Sequence, residues 1–252
     1  MMTTVQASLR LQKRSLRKSL SATLNLLSQE SIRQQSKAIT EKVVSLPQFQ
    51  GSRGVSCYLS MPAGEASTSD LVSSILCQSD TKQLFVPKIV NKDGIMDFYE
   101  IFNGEDLASL PSGTWGIKEP DSHWQEKARK TALTTEAPTL DMILMPGKYY
   151  SQTFGHGYCK WSTLYLGVAF DRSFSRLGHG KGYYDRFIST YIASGRPKPL
   201  LVALALKEQL LEADSVPMGE HDWKVDIIVT PEEVLVNNDV GANAREPTPE
   251  VV

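Results

Sequence analysis

Two spacings of apolar residues alternate along the chain. Near the start the period is helical: Leu16, Leu20, Leu24 and Leu27 form a stripe, with Lys13, Arg14, Arg17 and Lys18 largely off it. A second helix is predicted from about Gln29 to Ser45, where Ile32, Ile39, Val43 and Val44 share one side and Pro47 is the stop. The period then shortens. "GVSCYL" (54–59) alternates Val55, Cys57 and Leu59 with smaller or polar residues, and "QLFVPKI" (83–89), "MDFYEI" (96–101), "LDMILMP" (140–146), "LLVALAL" (200–206) and "VDIIVT" (225–230) read as further strands. Between the first two lies a turn-rich loop, "MPAGEASTSD" (61–70), in which Ser67 and Asp70 have the spacing of a helix cap. Strands alternating with helical segments predict an α/β protein whose mostly parallel sheet is flanked by helices.

Composition narrows the classes. At 252 residues one sizeable α/β domain is expected. A net charge of -1, from 27 basic and 28 acidic side chains, gives no global attraction to nucleic acid or an anionic membrane, so anion binding must come from local clusters. Cys57, Cys77 and Cys159 form no C-x-x-C pair, which argues against a disulfide framework and for a reducing compartment. The longest apolar runs fall far short of the ~20 residues that span a bilayer. The first 27 residues are rich in Arg and Ser and have no acid before Glu30, as in a mitochondrial presequence; the competing reading is the helix described above, and composition does not separate them. The tail 237–252 has two prolines and no period, and is expected to be disordered.

The densest chemistry lies in "RLGHGKGYYDR" (176–186). Gly178, Gly180 and Gly182 alternate with His179 and Lys181, and a helical pattern begins near Tyr183. Glycines let backbone N–H groups turn onto a ligand, and a following helix N-terminus adds partial positive charge, so the stretch suits a phosphate cradle; a tight turn into a helix is the plainer alternative. Asp185, in the first helical turn, and Asp222, just before the last predicted strand, are candidate ligands for a hard cation such as Mg²⁺. Complementing the helix dipole is the plainer role for Asp185.

"RLGHGKGYYD" resembles the signature of the 5-formyltetrahydrofolate cyclo-ligase family, also called methenyltetrahydrofolate synthetases. The resemblance runs from Lys13 to about Thr230: "KRSLR" (13–17), "YLSMPAGEAST" (58–68), "WGIKEP" (115–120), "LALKEQL" (204–210) and "DWKVD" (222–226) are similar to family segments in the family's order. It implies a NagB/RpiA/CoA-transferase-like three-layer architecture and ATP- and Mg²⁺-dependent closure of 5-formyltetrahydrofolate to 5,10-methenyltetrahydrofolate, with release of ADP and phosphate. The formyl oxygen is phosphorylated, then N10 attacks the carbon. The resemblance places Lys13, Arg14, Ser15, Leu16, Arg17 and the loop Arg176, Leu177, Gly178, His179, Gly180, Lys181, Gly182, Tyr183 and Tyr184 on the nucleotide. Leu59, Glu65 and Trp115, with His179, Gly180, Lys181, Gly182 and Tyr183, would meet the folate. Lys181, Arg176 and Tyr183 would be catalytic, and Asp185 and Asp222 would hold Mg²⁺. Residues 1–236 would form one cyclo-ligase domain, a cytoplasmic monomer (mitochondrial as the second reading) with small-molecule partners and no nucleic acid or membrane. A folate-binding protein without activity, or an isomerase- or CoA-transferase-like enzyme, are the alternatives.

A second Gly-His-Gly lies in "KYYSQTFGHGYCKWSTLYLG", residues 148–167. Family members pass almost directly from a strand like "LDMILMPG" into a segment like "GVAFDRSFSRLG", so this stretch is an insertion. His156 and Cys159 lack the second pair of ligands a zinc site needs. A lid and a harmless surface loop are two readings; a translated intron is the third, and it is favoured. Gly147-Lys148-Tyr149 can be encoded with a GTAAGT donor and Leu166-Gly167 with a TAG acceptor, and removal restores one glycine before Val168.

Overall fold

The computed structural model describes residues 4–60, 65–90, 95–111, 118–134, 137–147, 168–178 and 180–238. Helices α1 (Thr4–Leu24), α2 (Gln29–Ser45) and α3 (Pro47–Gly51) precede strand β1 (Gly54–Cys57), α4 (Ser69–Leu76), β2 (Gln83–Ile89), β3 (Met96–Ile101) and α5 (Gly104–Ser109). After a short hairpin, β4 (His123–Trp124) and β5 (Lys127–Ala128), come β6 (Met142–Pro146), β7 (Ala169–Asp171), β8 (Arg176–Leu177) and α6 (Tyr183–Ala193). The chain continues through β9 (Leu200–Leu204), a 3-10 turn (Lys207–Gln209), β10 (Leu210–Leu211), β11 (Ile227–Val229) and β12 (Val234–Val236). The six strands read from apolar runs are present, trimmed at some ends.

Seven strands form one sheet in the order β12-β11-β9-β6-β1-β2-β3. The five central strands are parallel, and the edge strands β3 and β12 are antiparallel to their neighbours. Period-2 alternation sends successive side chains to opposite faces. On one face Val55, Cys57, Met142, Leu144, Val202 and Leu204 pack under α2, α3 and α4 through Ile39, Phe49 and Ile75. On the other, Phe85, Ile143, Met145, Leu201 and Ala203 pack under α6 through Phe187, Ile188 and Tyr191. The result is helix, sheet, helix. Each fully buried Leu, Ile or Phe contributes about 2 kcal/mol.

Two local features depart from the sequence reading. The fourth helix begins at Ser69, and no Ser67–Asp70 cap forms. The hydroxyls there serve tertiary contacts: Thr68 Oγ1 donates to the Tyr58 carbonyl at 2.7 Å, and Ser67 N donates to Ser36 Oγ at 2.8 Å. Helix α1 also begins well before the leucine stripe and is anchored by Leu20 and Leu24, 5% and 2% exposed.

The start of β1 is held by Asp141, whose carboxylate accepts from Arg53 N at 2.7 Å and Gly54 N at 2.9 Å. That clasp brings the Thr139 carbonyl so near that a Cβ on Gly54 would overlap it. Replacing Gly54 by Ala should therefore force a backbone shift costing about 2 kcal/mol and lower the thermal midpoint by about 6 °C. Calorimetry checks this, and an unchanged midpoint would contradict it.

Candidate active site

The parallel sheet reverses its direction of growth between β1 and β6, since the chain passes from β1 to β2 on one side and from β6 to β9 on the other. A crevice outside the carboxyl ends of strands at such a reversal is where α/β sheets bind ligands. The end of β1 supplies Tyr58, Leu59 and Ser60, and the end of β6 supplies Gly147.

A small three-stranded sheet, β10-β7-β8, carries the glycine-rich loop. Its hairpin is locked by Asp171, fully buried, which accepts from Ser173 N at 3.0 Å, Ser175 N at 2.9 Å and Val216 N at 2.9 Å. The chain then leaves β8 into the loop, where Gly180 and Gly182 have φ of +88° and +62°. Only glycine adopts these values without cost. Gly182 is also the N-cap of α6, so the loop feeds straight into a helix N-terminus.

Helix α1 lies across this loop. Lys13 and Arg17, four residues apart, share a helix face: Lys13 pairs with Asp222, and Arg17 Nε donates to the Gly178 carbonyl at 2.7 Å. The Arg17 guanidinium also lies against Gly180, where an added Cβ would come within 3.4 Å of it. Burial lowers the Arg17 pKa and Asp222 partly restores it, so the group stays a cation. Leu16 packs with Leu20, Ala169, Leu177 and Val216, holding the helix on the hairpin. Arg14 is exposed, and Ser15 lines a shallow groove with Gln12, Asp214 and Pro217. The two reaching residues of "KRSLR" are thus Lys13 and Arg17.

Arg176 is 8% exposed and grips both oxygens of Asp185 at 2.8 Å, while its buried Nε finds no acceptor among the described residues. Asp185 also accepts from Trp223 N at 3.1 Å, and Asp222 accepts from Gly219 N at 2.6 Å, so adjacent backbone positions tie the two carboxylates to one locality. Among the described residues no cluster of three or more His, Cys, Asp or Glu exists. Lys181 is exposed on the loop, Arg186 lies over the Tyr183 ring at 5.6 Å, and Arg176 over the Tyr184 ring at 5.7 Å. Two ion pairs, Lys13 with Asp222 and Arg176 with Asp185, therefore lie beside Arg17 at the glycine loop.

The opposite wall is buried and acidic. Glu65 is 1% exposed beneath the end of β1, inside a loop pinned by Tyr58 Oη donating to the Ala66 carbonyl at 2.8 Å. Burial pushes the phenols of Tyr58 and Tyr184 and the thiol of Cys57 up, and the Glu65 charge pushes all three further. Tyr184 thus joins the two walls: its ring lies under Arg176, and its hydroxyl feels Glu65 and Cys57. Leu59 is partly buried and packs on the core under α2. Trp115, His179, His156 and residues 148–167 lie outside the described residues. Two residues the sequence reading passed over organise the site, Asp171 and Gln209. An aspartate closing a strand ahead of the serine-bearing turn "RSFS" was the available signal for the first.

A cation-lined glycine loop opening a helix, set beside a buried acid at the switch point of an α/β sheet, defines a nucleotide- or phosphate-using enzyme of the α/β class. The profile of the 5-formyltetrahydrofolate cyclo-ligase family matches residues 10–153 and 163–231. The chain is 34% identical over 232 residues to a probable 5-formyltetrahydrofolate cyclo-ligase of Schizosaccharomyces pombe, covering 90% of this chain and 98% of that one. It is 33% identical over 217 residues to the 5-formyltetrahydrofolate cyclo-ligase of Mus musculus, covering 86% and 92%. The solved 5,10-methenyltetrahydrofolate synthetase of Aquifex aeolicus superposes with a TM-score of 0.64 at 27% identity, over 94% of this chain and 97% of that one. The chain belongs to the 5-formyltetrahydrofolate cyclo-ligase family.

The buried phenols predict a pH dependence. A raised folded pKa means that the unfolded chain loses the proton first, near its ordinary pKa of about 10. Stability from Tyr58 and Tyr184 is therefore full below about pH 10 and falls as pH rises above it. Of the nine tyrosines, these two should ionise only as the protein unfolds, and Tyr184→Phe should flatten the fall. Absorbance titration checks this; a Tyr184 that titrates at about pH 10 in the folded protein would sink it.

Proposed function

We propose that this chain closes 5-formyltetrahydrofolate to 5,10-methenyltetrahydrofolate at the expense of ATP. The observation that carries the reading is the docking of Arg17 onto a glycine loop with two left-handed glycines, with Lys13 of the same helix held by Asp222 beside it. A formyl amide is a poor electrophile and its oxygen a poor leaving group. Transferring the γ-phosphoryl group of ATP to that oxygen, with departure of ADP, corrects both faults. N10 then attacks the formyl carbon, phosphate leaves with the formyl oxygen, and N10 loses its proton.

The chain's part is positioning and charge neutralisation. Loop amides and the N-terminus of α6 face the phosphates, while Lys13, Arg17 and Arg176 offset their charge. The Arg176 Nε, without an acceptor among the described residues, suits an anionic oxygen. Lys181 would follow the transferring group. Glu65, buried on the folate side, would accept pterin N–H bonds; Trp115 and Leu59 would cover the ring, and Tyr183 would sit between the substrates. Asp185 and Asp222 are too few to cage a metal, and both bond to cations or amides. That fits Mg²⁺, which keeps waters and takes phosphate oxygens for the rest of its shell. Such an ion would supply charge neutralisation at the β- and γ-phosphates when bound.

We extend the reading to the fold, a three-layer architecture akin to NagB, RpiA and CoA transferases, and to a cytoplasmic monomer comprising one domain over 1–236. No described helix is long and apolar enough to cross a membrane. A relative in Arabidopsis thaliana, 31% identical, is named mitochondrial, which keeps that compartment as the second reading. Residues 148–167 are proposed to be a translated intron. The family profile breaks within them, at 154–162, and a mature transcript that retains these codons would contradict the idea.

Incubating the protein with 5-formyltetrahydrofolate and MgATP should yield methenyl absorbance and one ADP per product. ADP-free turnover, or tight folate binding with no product, would overturn the reading. Within it, Gly180→Ala strains the backbone and presses Arg17. It should raise the KM for MgATP about tenfold while leaving the folate KM within about twofold, an apparent loss near 1.4 kcal/mol. Equal effects on both substrates would contradict the placement of the nucleotide.

A further inference from the structure

Gln209 is fully buried at the end of the 3-10 turn, yet it was silent in the sequence. Its carboxamide is used at both ends. Oε1 accepts from Leu206 N at 3.0 Å, fixing the turn that follows β9. Nε2 donates to two carbonyls: that of Gly147, and that of Val168 at 3.1 Å. These two residues flank the 148–167 segment. One nitrogen bonding both oxygens puts them within about 6 Å of each other, a separation that adjacent peptide units, with Cα atoms ~3.8 Å apart, readily span.

The surroundings close the junction further. Gly147 N donates to the Leu204 carbonyl at 3.2 Å, so the end of β6 stays in register with β9. A Cβ at Gly147 would lie 2.5 Å from Gln209 Oε1, so the clamp requires glycine there. Val168 is 1% exposed and opens β7, which pairs with β10 immediately after Gln209. The same side chain thus aligns β6, β7 and β10, and the glycine loop hangs from that assembly.

We propose that Gln209 is a positioning residue for the phosphate-binding loop. Its carboxamide joins Gly147 to Val168 by hydrogen bonds where, with residues 148–167 removed, a direct peptide bond would do so. The inference rests on the nucleotide reading of the loop. It assigns the clamp a job that grows when the chain is interrupted and shrinks when the chain is continuous. Gln suits this because it supplies two donors and an acceptor, and loss of the donors leaves two buried carbonyls unsatisfied.

Four proteins test the idea: the full chain, a variant joining Gly147 directly to Val168, and Gln209→Met in each. Met keeps the length of the side chain and removes its hydrogen bonds. In the full chain Gln209→Met should lower the thermal midpoint by about 6 °C and raise the KM for MgATP about tenfold, with the folate KM unchanged. In the joined chain, which folds and turns over, the same change should move the midpoint by about 2 °C and the MgATP KM by less than about threefold. Equal midpoint shifts in both backgrounds, or a joined chain that does not fold, would overturn the clamp. A full-chain variant with an unchanged MgATP KM would overturn the positioning role. Coupled midpoint shifts without turnover in any of the four would uphold the clamp and remove the functional reading instead.

Discussion

The site depends on one buried carboxylate. Asp171 receives three backbone N–H groups, two from its own turn and one from Val216, 45 residues on. Hydrogen bonds to a charged acceptor contribute about 1.5–3 kcal/mol each, and a buried charge without them would be costly. This bonding fixes the β7–β8 hairpin relative to the 212–218 segment. The hairpin fixes the glycine loop, and its apolar face, Ala169, Leu177 and Val216, is the seat for Leu16 and Leu20 of α1. Arg17 can reach the Gly178 carbonyl only because that seat exists. A helix and a loop that are distant in sequence are thus brought together, through a carboxylate, at the surface proposed to bind the nucleotide.

The charges at this surface are held in pairs. Lys13 with Asp222, and Arg176 with Asp185, leave few bare ions in a partly desolvated cleft, where an unpaired charge is penalised. A polyphosphate with its metal is itself a set of alternating charges. In the proposed complex such a ligand would exchange partners with these pairs, Lys13 and Arg176 meeting phosphate oxygens while Asp185 and Asp222 would hold the ion. On the other wall, burial raises the phenol pKa values of Tyr58 and Tyr184, and the Glu65 charge adds to the rise. Tyr184 lies under Arg176 and also feels the Glu65 charge; in the proposed function phosphates would meet the cationic side and ring N–H groups the acidic one.

Much of this was legible beforehand, where the cause is local. The leucine period of α1 announced the helix, and the family resemblance of "KRSLR" singled out Lys13 and Arg17. Apolar runs located the six main strands, and alternating glycines ahead of Tyr183 marked the loop that needs positive φ at Gly180 and Gly182. What stayed hidden depends on distant partners. Asp171 and Gln209 act on backbone groups up to 45 and 62 residues away, and a backbone amide leaves no mark in a sequence. The cap assigned to Ser67 and Asp70 did not form: Thr68 is the N-cap, the Ser67 amide donates to Ser36, and the Ser67 hydroxyl bonds Ser69. Strand order was likewise invisible, and with it the switch point that brings Glu65 opposite Tyr184.

The central claim is that one cleft passes a phosphoryl group from nucleotide to folate. It is tested most directly by labelling the formyl oxygen of 5-formyltetrahydrofolate with ¹⁸O and analysing the phosphate released during turnover with unlabelled ATP in ordinary water. The account predicts that each phosphate carries the label, since the formyl oxygen departs bonded to phosphorus. Unlabelled phosphate, with the ¹⁸O lost to water, would contradict it.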